Sequence, residues 1–379
     1  MSKKVLFISH NASRSGAPLM LYNCIKWLKI RQLIDPYILL IDGGSLENDF
    51  SCLGPTFIWN GFHKTTNWLD RAVGFISLNQ KKKRHILKLK KYLEVQGFKL
   101  VYSNSIVANK VAYELGKTIS CPFLSHVHEM SFSANHFYKS FLLQEYIENF
   151  DHFISVSQQS LKLLTEELGV DESKITVIPP FYSDIVKLNS TIIIDKENIK
   201  IGFSGYAGWR KGIDLFTPLL AVCNNKFDLH NIEFIWIGEI NEETKERILY
   251  DLKILNIVSK VSFPGYITNP HEYMALLDVF VLLSREDPFP IACLEAASNN
   301  VPLICFEASG GIPDLIEDDA GKVVPYLNLD LMAEAIKAFV NNKHKRIIKG
   351  EIAAKKVKSY SQEAIMPLIN SVIQKITSN

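Results

Sequence analysis

Ile201-Gly202-Phe203-Ser204-Gly205-Tyr206-Ala207-Gly208-Trp209-Arg210-Lys211-Gly212-Ile213-Asp214-Leu215 decides the fold. A short apolar run ends at Ser204, a glycine-rich turn follows, and a helical pattern begins at Ile213. A buried strand that turns on glycine directly into a helix opens a strand–helix–strand unit. The same order stands at the front of the chain, where the run 5–9 passes through Ser13-Arg14-Ser15-Gly16-Ala17-Pro18 into an apolar helix from Leu19. The pattern starts twice, which predicts two Rossmann-like units and not one long sheet.

β-Rich apolar runs occur at 5–9, 37–41, 100–103, 123–126 and 153–156, then at 201–204, 234–238, 261–263, 279–283 and 303–306, with helical-period segments between them. Their apolar residues do not alternate with polar ones. Strands buried on both faces read this way, so the class is α/β with parallel sheets. A strand that ends in Pro179-Pro180 stops regular structure, which puts the linker at about 178–198. Apolar residues at 365, 366, 368, 369, 372, 373 and 376 share one helical face near the C-terminus. The expected domain boundary falls between 187 and 188, with a further helix at 361–379.

A chain of 379 residues, 47% apolar and 22% charged, is long enough for two cores and excludes disorder on a large scale. The net charge of +2 hides an asymmetry: residues 1–190 hold 22 Lys and Arg against 16 Asp and Glu, residues 191–379 hold 20 against 24. The front half is therefore the half suited to an anionic surface. Cysteines 24, 52, 121, 223, 293 and 305 form no Cys-x-x-Cys pair, so neither a zinc site nor a redox dithiol is signalled. No run approaches the roughly 18 apolar residues of a membrane span. Free thiols without a span imply a cytoplasmic protein, peripheral at most to the inner face of a membrane.

After the run 279–283 comes Ser284-Arg285-Glu286-Asp287-Pro288-Phe289-Pro290-Ile291-Ala292-Cys293-Leu294-Glu295-Ala296-Ala297. The strand delivers a carboxylate to the C-terminal edge of a sheet just before a helix begins, and that edge is where open α/β sheets bind ligands. The amides near Phe289 and Ile291 and the helix dipole favour an anion; Pro290 has no N–H to offer. Glu295, about one turn in, can accept hydrogen bonds from vicinal hydroxyls such as those of a ribose. In the turn quoted first, Arg210 supplies a planar fork and Lys211 a point charge for a diphosphate.

These segments resemble glycosyltransferase family 4. Asp287-x7-Glu295 is similar to its acidic-x7-Glu signature, usually Glu-x7-Glu; Gly310-Gly311-Ile312-Pro313-Asp314 and Gly321-Lys322-Val323-Val324 are similar to its downstream tail. The resemblance implies a retaining transferase of GT-B fold, with two Rossmann-like domains about a central cleft: an acceptor-side domain, 1–187, to which a C-terminal helix, 361–379, crosses back, and a donor-binding domain, 188–360. It implies that Glu295 binds the donor ribose, Asp287 the transferred sugar, and the intervening amides the diphosphate, with Arg210 and Lys211 on the leaving phosphates. Tyr206 stands where the family commonly has an arginine. Gly205 belongs to the same turn, and Tyr266 and Ile267, after Phe263-Pro264-Gly265, match a position where backbone groups meet the nucleobase. Gly16 resembles the family's N-terminal glycine turn and would allow close approach of acceptor or donor phosphate. His128 of His128-Glu129 resembles a histidine near the donor sugar, able to donate a hydrogen bond to a sugar hydroxyl or to carry a proton near neutral pH.

Lys81-Lys82-Lys83-Arg84-His85-Ile86-Leu87-Lys88-Leu89-Lys90-Lys91-Tyr92-Leu93 sets seven Lys and Arg beside Ile86, Leu89 and Leu93 at helical spacing. Such a helix either lies on an anionic membrane or packs on the sheet with a solvated outer face. No base-reading motif or aromatic stacking series points to nucleic acid. The expected function is transfer of a hexose-like sugar from a nucleoside-diphosphate sugar, a co-substrate and not a cofactor, to a hydroxyl of a glycan or lipid-linked glycan. No metal is implied, since His126-x-His128 lacks a third ligand. A nucleotide-sugar epimerase or hydrolase on the same fold and a non-catalytic nucleotide-sugar-binding paralogue remain the other readings.

Overall fold

The structure is a computed structural model that describes residues 2–60, 75–137, 140–182, 198–267 and 270–378. The chain divides into two compact units, Met1–Ile178 with Met366–Asn379, and Pro179–Ile365. Of the linker expected at 178–198, residues 183–197 lie outside the described residues. Pro179–Tyr182 go with the second unit, where the Tyr182 N–H donates to Tyr360 O at 3.2 Å and Tyr182 bridges to Ser361.

The first sheet has seven parallel strands: β1 (Lys3–Ser9), β2 (Ile34–Leu40), β3 (Thr56–Ile58), β4 (Leu100–Asn104), β5 (Phe123–Val127), β6 (His152–Ser155) and β7 (Ile175–Val177), in the order β3-β2-β1-β4-β5-β6-β7. The central strands are buried on both faces, as their unbroken apolar sequence requires. Leu6, Ile8, Val101, Val127 and Phe153 form the core of one face with Leu89 and Leu93 from the helix Phe75–Glu94.

The second sheet repeats the plan with β8 (Ile199–Ser204), β9 (Ile232–Ile237), β10 (Val261–Gly265), β11 (Val279–Leu282), β12 (Leu303–Phe306) and β13 (Gly321–Val324), ordered β10-β9-β8-β11-β12-β13 and parallel throughout. The stacked rings of Phe203 and Trp236, with Phe216 edge-on to both, fill its core on one face. The last helix, Gln362–Thr377, returns the chain to the first unit, where Lys3 Nζ donates to Gln374 Oε1 at 2.7 Å and Thr377 Oγ1 at 2.6 Å. Its apolar stripe is buried at Ile365, Met366, Ile369, Val372 and Ile373, while Leu368 stays half exposed.

Candidate functional site

In the second sheet β8 and β11 are neighbours, and the chain leaves them in opposite directions, toward β9 and toward β12. The crevice at their C-terminal ends is the topological switch point, the ligand position of open α/β sheets. The loop after β8 carries Arg210 and Lys211 on one 3-10 turn, Trp209–Lys211, and the loop after β11 carries Asp287. The two loops are tied together: the Arg285 N–H donates to Arg210 O at 2.9 Å, and Arg210 Nη1 donates to Glu286 O at 2.8 Å. Lys211 Nζ forms an ion pair with Asp287 Oδ2, Arg210 Nη1 lies 3.8 Å from Oδ1, and Ser284 Oγ donates to Oδ2 at 3.4 Å.

Two glycines make this approach possible. Gly212 has φ +79°, and a Cβ there would stand 2.1 Å from Leu283 O. Gly310 has φ +143°, and a Cβ there would stand 1.7 Å from Asp287 O; beside it, the Asp287 N–H donates to Ser309 O at 2.7 Å. Asp287 thus stands against two cations, Arg210 and Lys211.

Arg285 locks the turn from outside. Its Nη1 and Nη2 donate to the two oxygens of Asp214 at 2.8 and 2.7 Å, Nη1 also donates to Trp209 O at 2.8 Å, and the guanidinium lies 4.6 Å from the Trp209 ring centroid. A forked guanidinium both pairs with a carboxylate and stacks on an aromatic face, which lysine does not reproduce.

Helix Ile291–Ser298 begins directly after Pro290, so the amides of Ile291 and Ala292 have no preceding helical acceptor, while the Cys293 N–H donates to Pro290 O at 3.1 Å. Glu295 sits one turn in, its carboxyl mostly buried, and His271 Nε2 is 3.5 Å from Oε1. Burial lifts the Glu295 carboxyl to about 7 and lowers the His271 imidazole, so the pair is not a firm ion pair near neutrality. Gly205 follows β8: its N–H donates to Ile237 O at 2.9 Å and its carbonyl accepts from Trp236 Nε1 at 3.0 Å. Tyr266 and Ile267 follow β10 in the same unit, and the rings of Tyr206 and Tyr266 are exposed. Phe289 packs on Tyr360, with centroids 5.4 Å apart.

In the first unit, His128 follows β5, and its Nε2 bonds Asn104 Oδ1 at 2.9 Å. Asn104 Nδ2 donates to Ala17 O at 3.0 Å, which fixes the amide orientation and makes His128 Nε2 the protonated nitrogen. Burial, with His10 adding to it, takes His128 down to about 3. With Nε2–H committed to Asn104, the nitrogen left on this ring is the acceptor Nδ1, so the expected donation to a sugar hydroxyl is corrected: His128 offers an acceptor there, and burial disfavours its charged form. Its neighbour Glu129 is buried, accepting from Ser105 Oγ at 2.5 Å and from the N–H groups of Ile106 and His128, each at 3.0 Å. Gly16 opens the helix Gly16–Ile30, and a Cβ there would meet nothing within 4 Å, so the space in front of it is open.

The basic segment 81–93 lies on the helix Phe75–Glu94, with Leu89 and Leu93 buried and Ile86 packed on the same core. That resolves one expectation: these apolar residues face the sheet and are not offered to lipid, because the sheet needs the cover. Among the described residues no group of three or more His, Cys, Asp or Glu could hold a metal ion, and no helix is long and apolar enough to cross a membrane. All six cysteines are free.

Residues 187–356 match the family model for glycosyl transferases group 1, and residues 68–183 match that for glycosyltransferase family 4. The chain belongs to glycosyltransferase family 4, group 1. Curated relatives include the α-galactosylglucosyldiacylglycerol synthase of Streptococcus pneumoniae, 28% identical over 44% of this chain and 48% of that protein. They also include the capsular polysaccharide biosynthesis glycosyltransferase CapM of Staphylococcus aureus, 24% identical over 56% of this chain and 58% of that one. The chain spans about half the length of these relatives. Among solved structures, Anabaena HepE in complex with UDP and glucose is similar in fold, with a TM-score of 0.77 and 19% identity over all of both chains. The fold of this glycosyltransferase is GT-B.

The structure brings Arg210, Lys211 and Asp287 together, with Arg285, Asp214 and Trp209 as their support. Arg285 has no role that its place in the sequence alone assigns. The available signal was its place between a strand end and the acidic motif, facing a turn that offers Asp214. His271 and Asn104 carried no sequence signal, because each matters only through a contact far along the chain.

Proposed function

We propose that this glycosyltransferase moves a hexose-like residue from a nucleoside-diphosphate sugar to a hydroxyl of a glycan or lipid-linked glycan, retaining the anomeric configuration and using no divalent metal. The observation that carries the reading is the pairing of Lys211, backed by Arg210, with Asp287 at the switch point of the second sheet. In the free protein Asp287 holds Lys211 in place. With donor bound, the ammonium and guanidinium turn to the diphosphate and the carboxylate is left for sugar hydroxyls.

As the bond from C1 to the phosphate oxygen breaks, negative charge grows on the leaving diphosphate. Arg210, Lys211 and the Ile291 and Ala292 amides, already fixed, stabilise it there; preorganised electrostatics of this kind is usually the largest catalytic contribution. These two cations fill the role a divalent ion takes in other transferases. Glu295 takes the ribose hydroxyls, the backbone at Gly205, Tyr266 and Ile267 lies against the nucleobase, and neutral His128 accepts from a sugar hydroxyl. Family membership supports retention. The capsular and glycolipid relatives support a glycan or lipid-linked acceptor in polysaccharide or glycolipid synthesis.

The helix Phe75–Glu94 supports a cytoplasmic protein held at an anionic membrane surface. Lys81, Lys83, Arg84 and Lys88 are exposed around Leu87, which is 59% exposed. With Ile86, Leu89 and Leu93 committed to the core, attachment is mainly electrostatic.

A thermal-shift screen against nucleoside-diphosphate sugars tests the reading, since a ligand at 100 times its Kd stabilises by about 2.7 kcal/mol. Stabilisation by one donor, followed by transfer of its sugar to an added glycan, is expected. Release of free sugar or epimerised donor without any acceptor would contradict it.

A further inference from the structure

The first unit contains a cavity of about 440 Å³, a size typical of small-molecule sites (~300–1,000 Å³), and it includes none of the residues discussed above as donor ligands. It lies where four adjacent parallel strands end. Asn11 follows β1, Asp42 follows β2, Asn60 follows β3, and Lys110 stands on the helix Asn109–Gly116 after β4; Lys82 comes from the helix Phe75–Glu94, and Trp59 forms part of the wall.

The polar groups of this cavity are unevenly matched. Asn60 Nδ2 donates to Asp42 Oδ1 at 2.7 Å, which leaves Asn60 Oδ1 and Asp42 Oδ2 as acceptors. Asn11 Oδ1 already receives the N–H and hydroxyl of Ser13 at 3.0 and 2.9 Å, so its amide nitrogen is the group left to bind. Glu114, also in the wall, is held by Lys90 at 3.1 Å, and Lys90 Nζ lies 5.4 Å from the Trp59 ring centroid. Lys82 and Lys110 have no hydrogen-bond or ion-pair partner among the described residues. A neutral polyol would be served by the amides, Asp42 and the buried, unpartnered Nδ1 of His10 alone. Two unpaired ammonium groups beside them, with the other carboxylate neutralised, match a ligand that brings negative charge as well as hydroxyls.

We propose that this cavity is the acceptor subsite and receives a sugar unit with an anionic substituent, phosphate or carboxylate, beside free hydroxyls. Lys82 and Lys110 hold the anion, while Asn11, Asp42 and Asn60 bind the hydroxyls. The proposal rests on the transferase reading.

The test is ligand-observed saturation-transfer NMR on the full chain, with the donor site saturated by whichever nucleoside diphosphate stabilises it most. The probes are glucose 6-phosphate, glucuronate and glucose. At least one anionic probe is expected to bind tenfold or more tightly than glucose, and the stronger one names the substituent. The double variant Lys82→Gln, Lys110→Gln is expected to erase that preference while nucleoside-diphosphate binding stays unchanged. Asn60→Ala should weaken the anionic probes several-fold at full charge, and thermal melts confirm that both variants fold. Equal binding of glucose and the anionic probes, or a preference that survives the double variant, overturns the proposal. Sugar transfer with an acceptor KM unaltered in the double variant overturns the cavity and leaves the transferase reading intact. Anion binding through Lys82 and Lys110 in a protein that transfers no sugar overturns the transferase reading and with it the acceptor role.

Discussion

Glu295 should make donor binding depend on pH in a direction opposite to that of a simple cationic phosphate site. Burial raises its carboxyl from the ordinary 4.5 to about 7, with His271 the ionisable neighbour at 3.5 Å and itself lowered by burial. Ribose hydroxyls donate to the ionised form, so affinity follows the ionised fraction. That fraction rises about tenfold from pH 6 to pH 8, about 1.4 kcal/mol of binding. Calorimetric titration with the nucleotide sugar is the suitable assay, because its doubly esterified diphosphate does not titrate in that window. Glu295→Gln is expected to bind more weakly at pH 8 and to lose the pH dependence.

The sign for stability is the reverse. A carboxyl whose folded value is raised contributes most below its unfolded value and loses that contribution as pH rises through about 7, so the free wild type bears up to about 3 kcal/mol of cost at pH 8. Glu295→Gln should therefore raise the Tm of the unliganded protein at pH 8 and change it little at pH 4.5. Donor affinity that is flat between pH 6 and 8, or a variant less stable than wild type at pH 8, would refute the assignment.

Asp287→Asn releases Lys211, so free nucleoside diphosphate should bind at least as tightly as to wild type while the sugar-bearing donor binds several-fold more weakly; equal losses on both ligands would contradict the separate roles. Arg285→Lys keeps the charge and loses the fork on Asp214, and nucleoside-diphosphate binding is expected to fall about three- to tenfold; unchanged calorimetry would mean that the turn stands without its clamp. Turnover is expected to persist in EDTA, and loss with rescue by magnesium or manganese would overturn the metal-free reading. Replacing Lys81, Lys83, Arg84 and Lys88 by Gln should weaken sedimentation with anionic vesicles by about 1 kcal/mol per charge removed; equal binding of variant and wild type would return this helix to a purely solvated face.

Both sheets were legible where strands are buried on two faces, because 5–9, 100–103, 201–204 and 303–306 read as unbroken apolar runs. The strands missed, Thr56–Ile58 and Gly321–Val324, are short and lie at sheet edges, with polar residues within or beside them. There a run is too brief to stand out from a loop. Asp287, Arg210, Lys211 and Glu295 could be picked out because chemistry-bearing residues sit at fixed distances from strand ends and glycines. The ion pair of Lys211 with Asp287 could not, since it depends on which two strands become neighbours. His128 shows the other limit: its residue type allows a titrating imidazole, and only the packing around β5 and the bond to Asn104 make it a neutral acceptor.

The donor assignment is tested most directly by an experimental structure of the full chain with the best-stabilising nucleotide sugar bound. Phosphate oxygens should lie within hydrogen-bond distance of Arg210, Lys211 and the Ile291 amide, the ribose hydroxyls on Glu295, and Asp287 freed from Lys211 and turned to the sugar. A ribose away from Glu295, or a diphosphate that leaves the Lys211–Asp287 pair undisturbed, would contradict it.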